Sequence, residues 1–385
     1  MNYDPIIPDD WDPRARADRA LTGTIRVNEE RVRGGHDSDF VLYDGKAFVV
    51  YMANDKRPDE DPYWPFVYDA MTVIDLATMT VESTTTFAAS KMEFDNDTLP
   101  VGACFVPRLT WKDERTLRCF FSSEAPQHRQ ARMFAVDYDV AERRFLRTLH
   151  PVEIETSLGV FPMEPAHFHA QAAAEGFQRE PVDTGLHLID SIKRFDGERY
   201  AVLNGFGGRH NALGKLNDEL NRFTVLGNFF EPQDFVTSEA AVNRLPDGRF
   251  AAIARQDSGD QAPLMTYSDD GRRWSPLARL PHAIAGRNSK PTFDKFSGLY
   301  YLGWQGPDSE GPAFRSVFNL DVSRDGLRWE RLFRFVSPYS FQYPVFREYD
   351  GWIYFSVTQG SRSPQLKERV MFGRLCRSDW HKQNP

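Results

Sequence analysis

Four residues in the second half of this chain carry side chains suited to proton transfer or anion binding. Each stands at the end of a strand-like run. Glu239 heads the otherwise apolar T-S-E-A-A-V, and sixteen residues later Arg255 ends A-A-I-A-R. Arg315 leads into S-V-F-N-L-D-V-S, and Tyr343, twenty-eight residues further on, heads Y-P-V-F. An arginine in an apolar strand requires a partner, because a buried charge persists only when paired. A guanidinium offers a carboxylate bidentate, charge-assisted bonds that lysine does not match. In the first half, Arg33 lies just ahead of G-G-H-D-S-D-F, which holds His36, Asp37 and Asp39. The acidic loop N-D-K-R-P-D-E-D-P, with Asp59 and Asp61, follows the next strand-like run. Arg129, Gln130 and Lys290 are further polar residues near strand ends.

The elements that must position these groups are visible as repeats. The heptapeptide Ser268 to Trp274 recurs at Ser323 to Trp329, and both copies read S-x-D-G-x-x-W. Repetition on this scale marks a propeller, solenoid or array. Short apolar runs are also split at Asp44-Gly45, Lys112 to Arg115, Asp196-Gly197, Asp247-Gly248, Ser297-Gly298 and Asp350-Gly351. Asp-Gly between alternating apolar residues is a strong hairpin signal. Each hairpin precedes one or two further strand-like runs, giving about four strands per unit, the size of a propeller blade. The expected fold is therefore all-β, a six-bladed β-propeller of four-stranded antiparallel blades. Residues 1–21 read as an N-terminal arm, 22–378 as one propeller with an inserted loop and short helix at 152–184, and 379–385 as a C-terminal tail. The run T-G-T-I-R-V-N is placed to close the ring against the last blade. In such a ring the leading strands and the loops entering them line the funnel, so the charged residues there are the ones to weigh.

Composition narrows the function. Aromatic residues make up 14% of the 385, which suits sheet packing and a carbohydrate-facing surface. A net charge of −8 is the opposite of the basic face that nucleic acid requires. Three cysteines without a C-x-x-C pattern argue against a disulfide framework and structural zinc. No apolar run is long enough for a membrane helix, and the first residues lack the apolar core of a signal peptide, so a cytoplasmic location is expected. No cofactor and no metal are expected. The His167-x-His169 pair, read as two strand residues on one face, lacks a clear third ligand.

The chain resembles the exo-sialidase (neuraminidase) family, six-bladed propellers carrying Asp-box repeats, of which S-x-D-G-x-x-W looks like a shortened form. The resemblance runs through E-A-A-V-x-R-L-P-D-G-R up to Arg255, and through Arg315 into S-R-D-G-L-R-W. It is looser in the first half, where Arg33 is followed by Gly-Gly-His instead of the family's Ile-Pro. The resemblance implies a retaining hydrolase of a terminal acidic, 2-keto acid sugar. It makes Tyr343 the nucleophile, Glu239 its base, and Asp59 or Asp61 the acid/base, with Asp37 and Asp39 competing for that last role. Arg33, Arg255 and Arg315 would bind the substrate carboxylate, with His36 and Asp39 also at the site. Sialidases are a tyrosine exception to the two-carboxylate scheme of glycosidases. Two alternatives share these residues. One is a propeller lyase that cleaves uronate-containing glycans by Tyr/His β-elimination, and the other is a non-catalytic propeller that binds acidic glycans.

Overall fold

The hairpin signals fold through their backbone preferences. Asp44, Asp196, Ser297 and Asp350 have φ of 48°, 51°, 47° and 48°, and the glycines after them lie between 69° and 86°. Two successive left-handed residues make the turn whose twist matches that of paired strands, and glycine takes the second place without strain. All six expected hairpins form at the expected turns. The computed structural model describes residues 5–56, 66–125, 130–177, 185–205, 210–229, 235–283, 285–361 and 366–380.

The described strands form six sheets. The first holds Gly34–Tyr43, Lys46–Asn54, Tyr68–Asp75 and Thr80–Ala88, in that order from its inner edge. The fourth runs from Thr237–Arg244 through Phe250–Gln256 and Leu264–Ser268 to Ala278–Arg279, and the fifth from Thr292–Phe296 through Leu299–Gln305 and Val317–Ser323 to Glu330–Val336. The sixth comprises Gln342–Tyr349, Trp352–Gln359 and Arg369–Cys376, and Ile25–Arg26 from the start of the chain supplies its fourth strand. Successive sheets pack side by side, the third meeting the fourth through Glu198–Gly205 and His210–Leu216, and the first packs against the sixth. The architecture is an all-β propeller.

Uniform four-stranded antiparallel blades are not what forms. Four sheets have four strands, the second has five and the third seven. Part of the stretch expected as a loop folds as a hairpin, Glu153–Thr156 with Gly159–Pro162, which covers the third sheet's outer strand Arg222–Asn228 by a parallel pairing. Adding a short hairpin is one way to cover an open sheet edge. The helix expected in this stretch is Pro165–Ala174. His167 and His169 sit on it, so the strand geometry assumed for that pair is wrong.

The apolar core is divided into slabs between neighbouring sheets. Phe48, Val50, Leu109 and Phe121 fill one of them, and Val242, Ala252, Leu213 and Phe229 another. At full burial each such valine, leucine or phenylalanine side chain contributes roughly 1.5–3 kcal/mol. The N-terminal arm docks against the fifth and sixth sheets. Asp12 caps helix Pro13–Thr22 by accepting from the Arg14 and Ala15 amides at 2.9 and 3.0 Å, and Ala17 is buried beneath it. Trp380, near the start of the expected tail, is buried against Phe333 with ring centroids 5.3 Å apart.

Both S-x-D-G-x-x-W copies build the same turn after the third strand of their sheets. Ser268 Oγ accepts from the Gly271 amide and Ser323 Oγ from the Gly326 amide, at 2.9 and 2.8 Å. Asp270 and Asp325 each accept from two later amides at 2.8–3.0 Å. Both glycines have φ of 74°. A Cβ on Gly326 would come within 2.6 Å of Leu245 Cδ2 in the preceding sheet, so the turn fixes the spacing of neighbouring blades. By contrast, Gly298, also left-handed at φ 79°, has open space where a Cβ would stand. Gly326→Ala should therefore lower the unfolding free energy by about 2–4 kcal/mol, from backbone strain and overpacking together, and Gly298→Ala by about 1 kcal/mol. Urea denaturation of the two variants beside the parent protein measures the difference.

Candidate active site

The leading strands are bent where the chemistry-bearing residues stand. Bulges interrupt the pairing between His36 and Asp39, Phe105 and Arg108, Thr237 and Ala240, and Gln342 and Val345. Asp37, Val106 and Tyr343 within them have φ of 44°, 55° and 55°. A bulge re-aims a side chain at the cost of local strain, and non-glycine residues held at positive φ collect at functional sites. All four bulges lie near the starts of their strands, the end of the ring opposite the hairpin turns.

Two of these bulges bring Tyr343 and Glu239 together from the sixth and fourth sheets. The Tyr343 phenol donates a hydrogen bond to Glu239 Oε1. Arg255, at the end of the adjacent strand, donates from Nη1 to Glu239 Oε2 at 2.8 Å and to Tyr343 Oη at 3.1 Å. Its Nε donates to Asp257 at 2.7 Å. Glu239 and Tyr343 are only 2% and 6% exposed. Burial first, then the neighbouring Glu239 charge, pushes the phenol well above its usual range, against the pull of Arg255 and Arg315. Burial works against the Arg255 cation too, but Glu239, Tyr343 and Asp257 outweigh it and hold the proton more tightly.

Arg315 completes this side of the site. It lies in the loop just before Val317–Ser323, at φ 50°, with its amide bonded to Asp308 Oδ1 at 2.8 Å. Its guanidinium is held by neutral amides, Gln342 Oε1 at 3.1 Å and Asn288 Oδ1 at 3.4 Å. Its buried Nε has no hydrogen-bond partner among the described residues. Burial lowers its pKa, so the folded site holds this cation at a cost.

The Tyr343 ring is flanked by further basic groups. His36 meets it edge-on with centroids 4.5 Å apart, and His36 Nδ1 lies 3.0 Å from Thr358 Oγ1. Lys290 and Lys367 place their ammonium groups 5.2 and 5.8 Å from the ring centre. Lys290 is also bonded to Asp37 Oδ1 at 2.9 Å, and Arg108 Nη2 contacts both Asp37 oxygens at 3.0 Å. Burial would raise the Asp37 carboxyl, but Arg108 and Lys290 hold it well below the carboxylate range. Burial, reinforced by Lys367, keeps His36 neutral by lowering its pKa far below 6.5.

Of the residues singled out in the sequence, the structure thus brings together Tyr343, Glu239, Arg255, Arg315 and His36, with Lys290 beside them. Two others are placed differently. Arg33 is exposed at the start of its strand, and the leading-strand residue buried against Tyr343 is His36. Asp39 is completely buried. Its carboxylate accepts from Ser191 Oγ and Arg347 Nη2, both at 2.9 Å, and so clamps three sheets together instead of facing a ligand. Asp59, Asp61 and Arg129 lie outside the described residues, and for Gln130 only the backbone is described. Among the described residues no cluster of three His, Cys, Asp or Glu could hold a metal ion. His169 is buried beside His210, with ring centroids 5.8 Å apart.

Sequence reasoning missed Lys367, Arg108 and Glu124. Burial alone pushes Glu124, near the head of the second sheet's inner hairpin, up to about 7, and its carboxylate lies 3.7 Å from His187 Nε2. One available signal was the residue-then-proline pattern shared by Val106-Pro107 and Tyr343-Pro344, which marks equivalent bulges in two leading strands.

No family model and no curated protein sequence matches this chain. Solved structures match its fold. A Dyadobacter fermentans protein of unknown function superposes with a TM-score of 0.63 at 10% identity, over 91% of this chain and 97% of that one. Trypanosoma rangeli sialidase in complex with sialic acid gives 0.60 at 14% identity, over 92% of this chain but only 57% of the sialidase. The intramolecular trans-sialidase from Ruminococcus gnavus, in complex with oseltamivir carboxylate, gives 0.59 at 12% identity, over 95% and 99%. At these identities the likeness is one of fold, and the fold is a sialidase-like β-propeller.

The Asp37 contacts make a stability prediction. Asp37→Ala leaves buried Arg108 and Lys290 without their carboxylate and should cost about 3–5 kcal/mol in urea denaturation. Because the folded pKa of Asp37 lies below its unfolded value, its contribution is complete above roughly pH 4 and fades as pH falls toward the folded value. Stability of the parent should therefore drop below pH 4 more steeply than that of Asp37→Asn.

Proposed function

We propose that this chain is a sialidase-like glycoside hydrolase that releases a terminal acidic sugar with retention of configuration. The observation that carries the reading is the buried contact of the Tyr343 phenol with Glu239, with Arg255 bonded to both. A phenol is a weak nucleophile and needs a base aligned with its proton. In the first step Tyr343 Oη attacks the anomeric carbon while its proton passes to Glu239. The bond to the leaving oxygen breaks, and that oxygen takes a proton from a carboxylic acid, which we assign to Asp59 or Asp61 after strand Lys46–Asn54. In the second step the same carboxylate deprotonates a water molecule that attacks the anomeric carbon, and the departing phenol recovers its proton from Glu239.

The choice of nucleophile fits an acidic substrate. A 2-keto acid glycoside carries a carboxylate on its anomeric carbon, which repels an anionic nucleophile but not a neutral phenol. Arg315, with its unpartnered buried Nε, and Arg255 are the guanidiniums at hand for that carboxylate. Arg33, being exposed, is not assigned to this clamp. Acidic ligands named for the fold neighbours, sialic acid and oseltamivir carboxylate, agree with the reading. A lyase would need a ready base. A phenol held this far up stays protonated, and a histidine held as low as His36 is a weak base, so the pairing with Glu239 favours hydrolysis.

With fluorogenic 2-keto acid glycosides, Tyr343→Phe should lower kcat about a thousandfold or more and Glu239→Gln about a hundredfold. Arg315→Lys should raise KM more than it lowers kcat. Full hydrolysis by both Tyr343→Phe and Glu239→Gln, or an unsaturated product absorbing in the near ultraviolet from polyuronates, would overturn the assignment.

A further inference from the structure

Arg255 and Arg315 are tied to one another, yet different chemistry holds each of them. Arg255 Nε donates to Asp257 Oδ1 at 2.7 Å, and Asn288 Nδ2 donates to the same oxygen at 3.1 Å. Asn288 Oδ1 in turn accepts from Arg315 Nη2 at 3.4 Å. A carboxylate only accepts, so Asp257 turns the amide nitrogen of Asn288 toward itself and the carbonyl oxygen toward Arg315. Gln342 is held in a similar way. Its Nε2 donates to Ser340 Oγ at 2.7 Å, that oxygen also accepts from the Gly360 amide at 2.9 Å, and Gln342 Oε1 is left to meet Arg315 Nη1 at 3.1 Å. The Arg315 carbonyl accepts from the Phe341 amide at 2.7 Å, which anchors the backbone behind the side chain. Arg255 thus meets two carboxylates, Glu239 and Asp257. Both oxygens that bond the Arg315 guanidinium among the described residues are neutral.

We propose that Gln342 and Asn288 are positioning residues that set substrate selectivity: they aim Arg315 with neutral oxygens, so its charge is left for the carboxylate of an incoming acidic sugar. This rests on reading the site as one for an acidic sugar. An amide oxygen fixes the direction of a guanidinium without neutralising it. Arginine keeps its proton even when buried, so the charge persists in the empty site. Burial works against the cation, and so does neighbouring Arg255. The Glu239 charge favours it, but that carboxylate is already bonded by Arg255. A ligand carboxylate gains charge-assisted bonds here, whereas an ester or a neutral sugar leaves the buried cation without a counter-charge. Selectivity is the difference between those two affinities.

A carboxylate built into the protein beside Arg315 would neutralise it internally and remove the preference. At position 288 such a group would also face Asp257, so position 342 isolates the effect. Gln342→Glu adds the charge in nearly the same shape. Gln342→Met removes the aiming oxygen and adds no charge.

The test is calorimetric binding of sialic acid, of a 3-deoxy-2-keto sugar acid and of glucuronic acid, each beside its methyl ester. The parent protein should bind at least one acid about tenfold or more tightly than its ester. Gln342→Glu should bind that acid about tenfold more weakly than the parent and the ester unchanged. Gln342→Met should weaken the acid less than Gln342→Glu does and should keep the preference for acid over ester. With the guanidinium paired internally, Gln342→Glu should also unfold at higher urea than Gln342→Met. The role of Gln342 and Asn288 alone is overturned if Gln342→Glu keeps the parent's preference, if it loses acid and ester alike, if Gln342→Met weakens the acid as much, or if Gln342→Glu unfolds at lower urea than Gln342→Met. If the parent protein binds none of the three acids, or binds each ester as tightly as its acid, the acidic-sugar reading falls, and the selectivity role with it.

Discussion

Buried charge must be compensated, and the mouth of this propeller is organised around that constraint. Asp37 balances Arg108 and Lys290, while Glu239 and Asp257 balance Arg255. Among the described residues, the Arg315 guanidinium is bonded by amide oxygens. Among these named groups cations outnumber carboxylates. Such an arrangement costs stability in the free protein and is relieved by an anion. The Tyr343–Glu239 pair sits inside this field, so a ligand drawn in by its carboxylate arrives beside the phenol.

The ring supplies the rigidity that this arrangement needs. The cluster draws on four sheets: His36 from the first, Glu239 and Arg255 from the fourth, Tyr343 from the sixth, and Arg315 from the loop leading into the third strand of the fifth. Small rotations of one blade against the next would break the contacts. Those rotations are opposed by ties nearer the axis. Asp39 links Ser191 and Arg347, and Lys193 bonds Asp190, the Val242 carbonyl and the Phe293 carbonyl at 2.7–3.0 Å. Ile25–Arg26 pairs with Met371 and Phe372 to close the circle. The Gly271 and Gly326 turns hold blade spacing at the opposite end.

What the sequence disclosed was local. Asp-Gly turns depend on neighbouring residues, so all six hairpins were legible, as was the match of Glu239, Arg255, Arg315 and Tyr343 to one pattern. What it hid was long-range. Arg108 finds Asp37 across 71 positions and Lys290 finds it across 253, and neither pairing leaves a trace in spacing. Proximity in sequence did not show which residue at the head of the first sheet meets Tyr343: His36, at the bulge, is buried against its ring, while Arg33 is exposed. Asp39 was misjudged because a carboxylate near a strand head was read as a ligand group when it serves as a clamp between blades. The hairpin on the third sheet was hidden because 153–162 lacks an Asp-Gly turn and pairs in parallel with a strand nearly seventy residues later.

The central claim, that Tyr343 forms a bond to the sugar with Glu239 as its base, is tested most directly by trapping. The protein would be incubated with 2,3-difluorosialic acid, digested, and its peptides mapped by mass spectrometry. The account predicts a covalent adduct on the peptide containing Tyr343, at Tyr343 itself, and none in Tyr343→Phe. An adduct on another residue, or unmodified Tyr343 in protein that hydrolyses a sialoside in the same buffer, would contradict it.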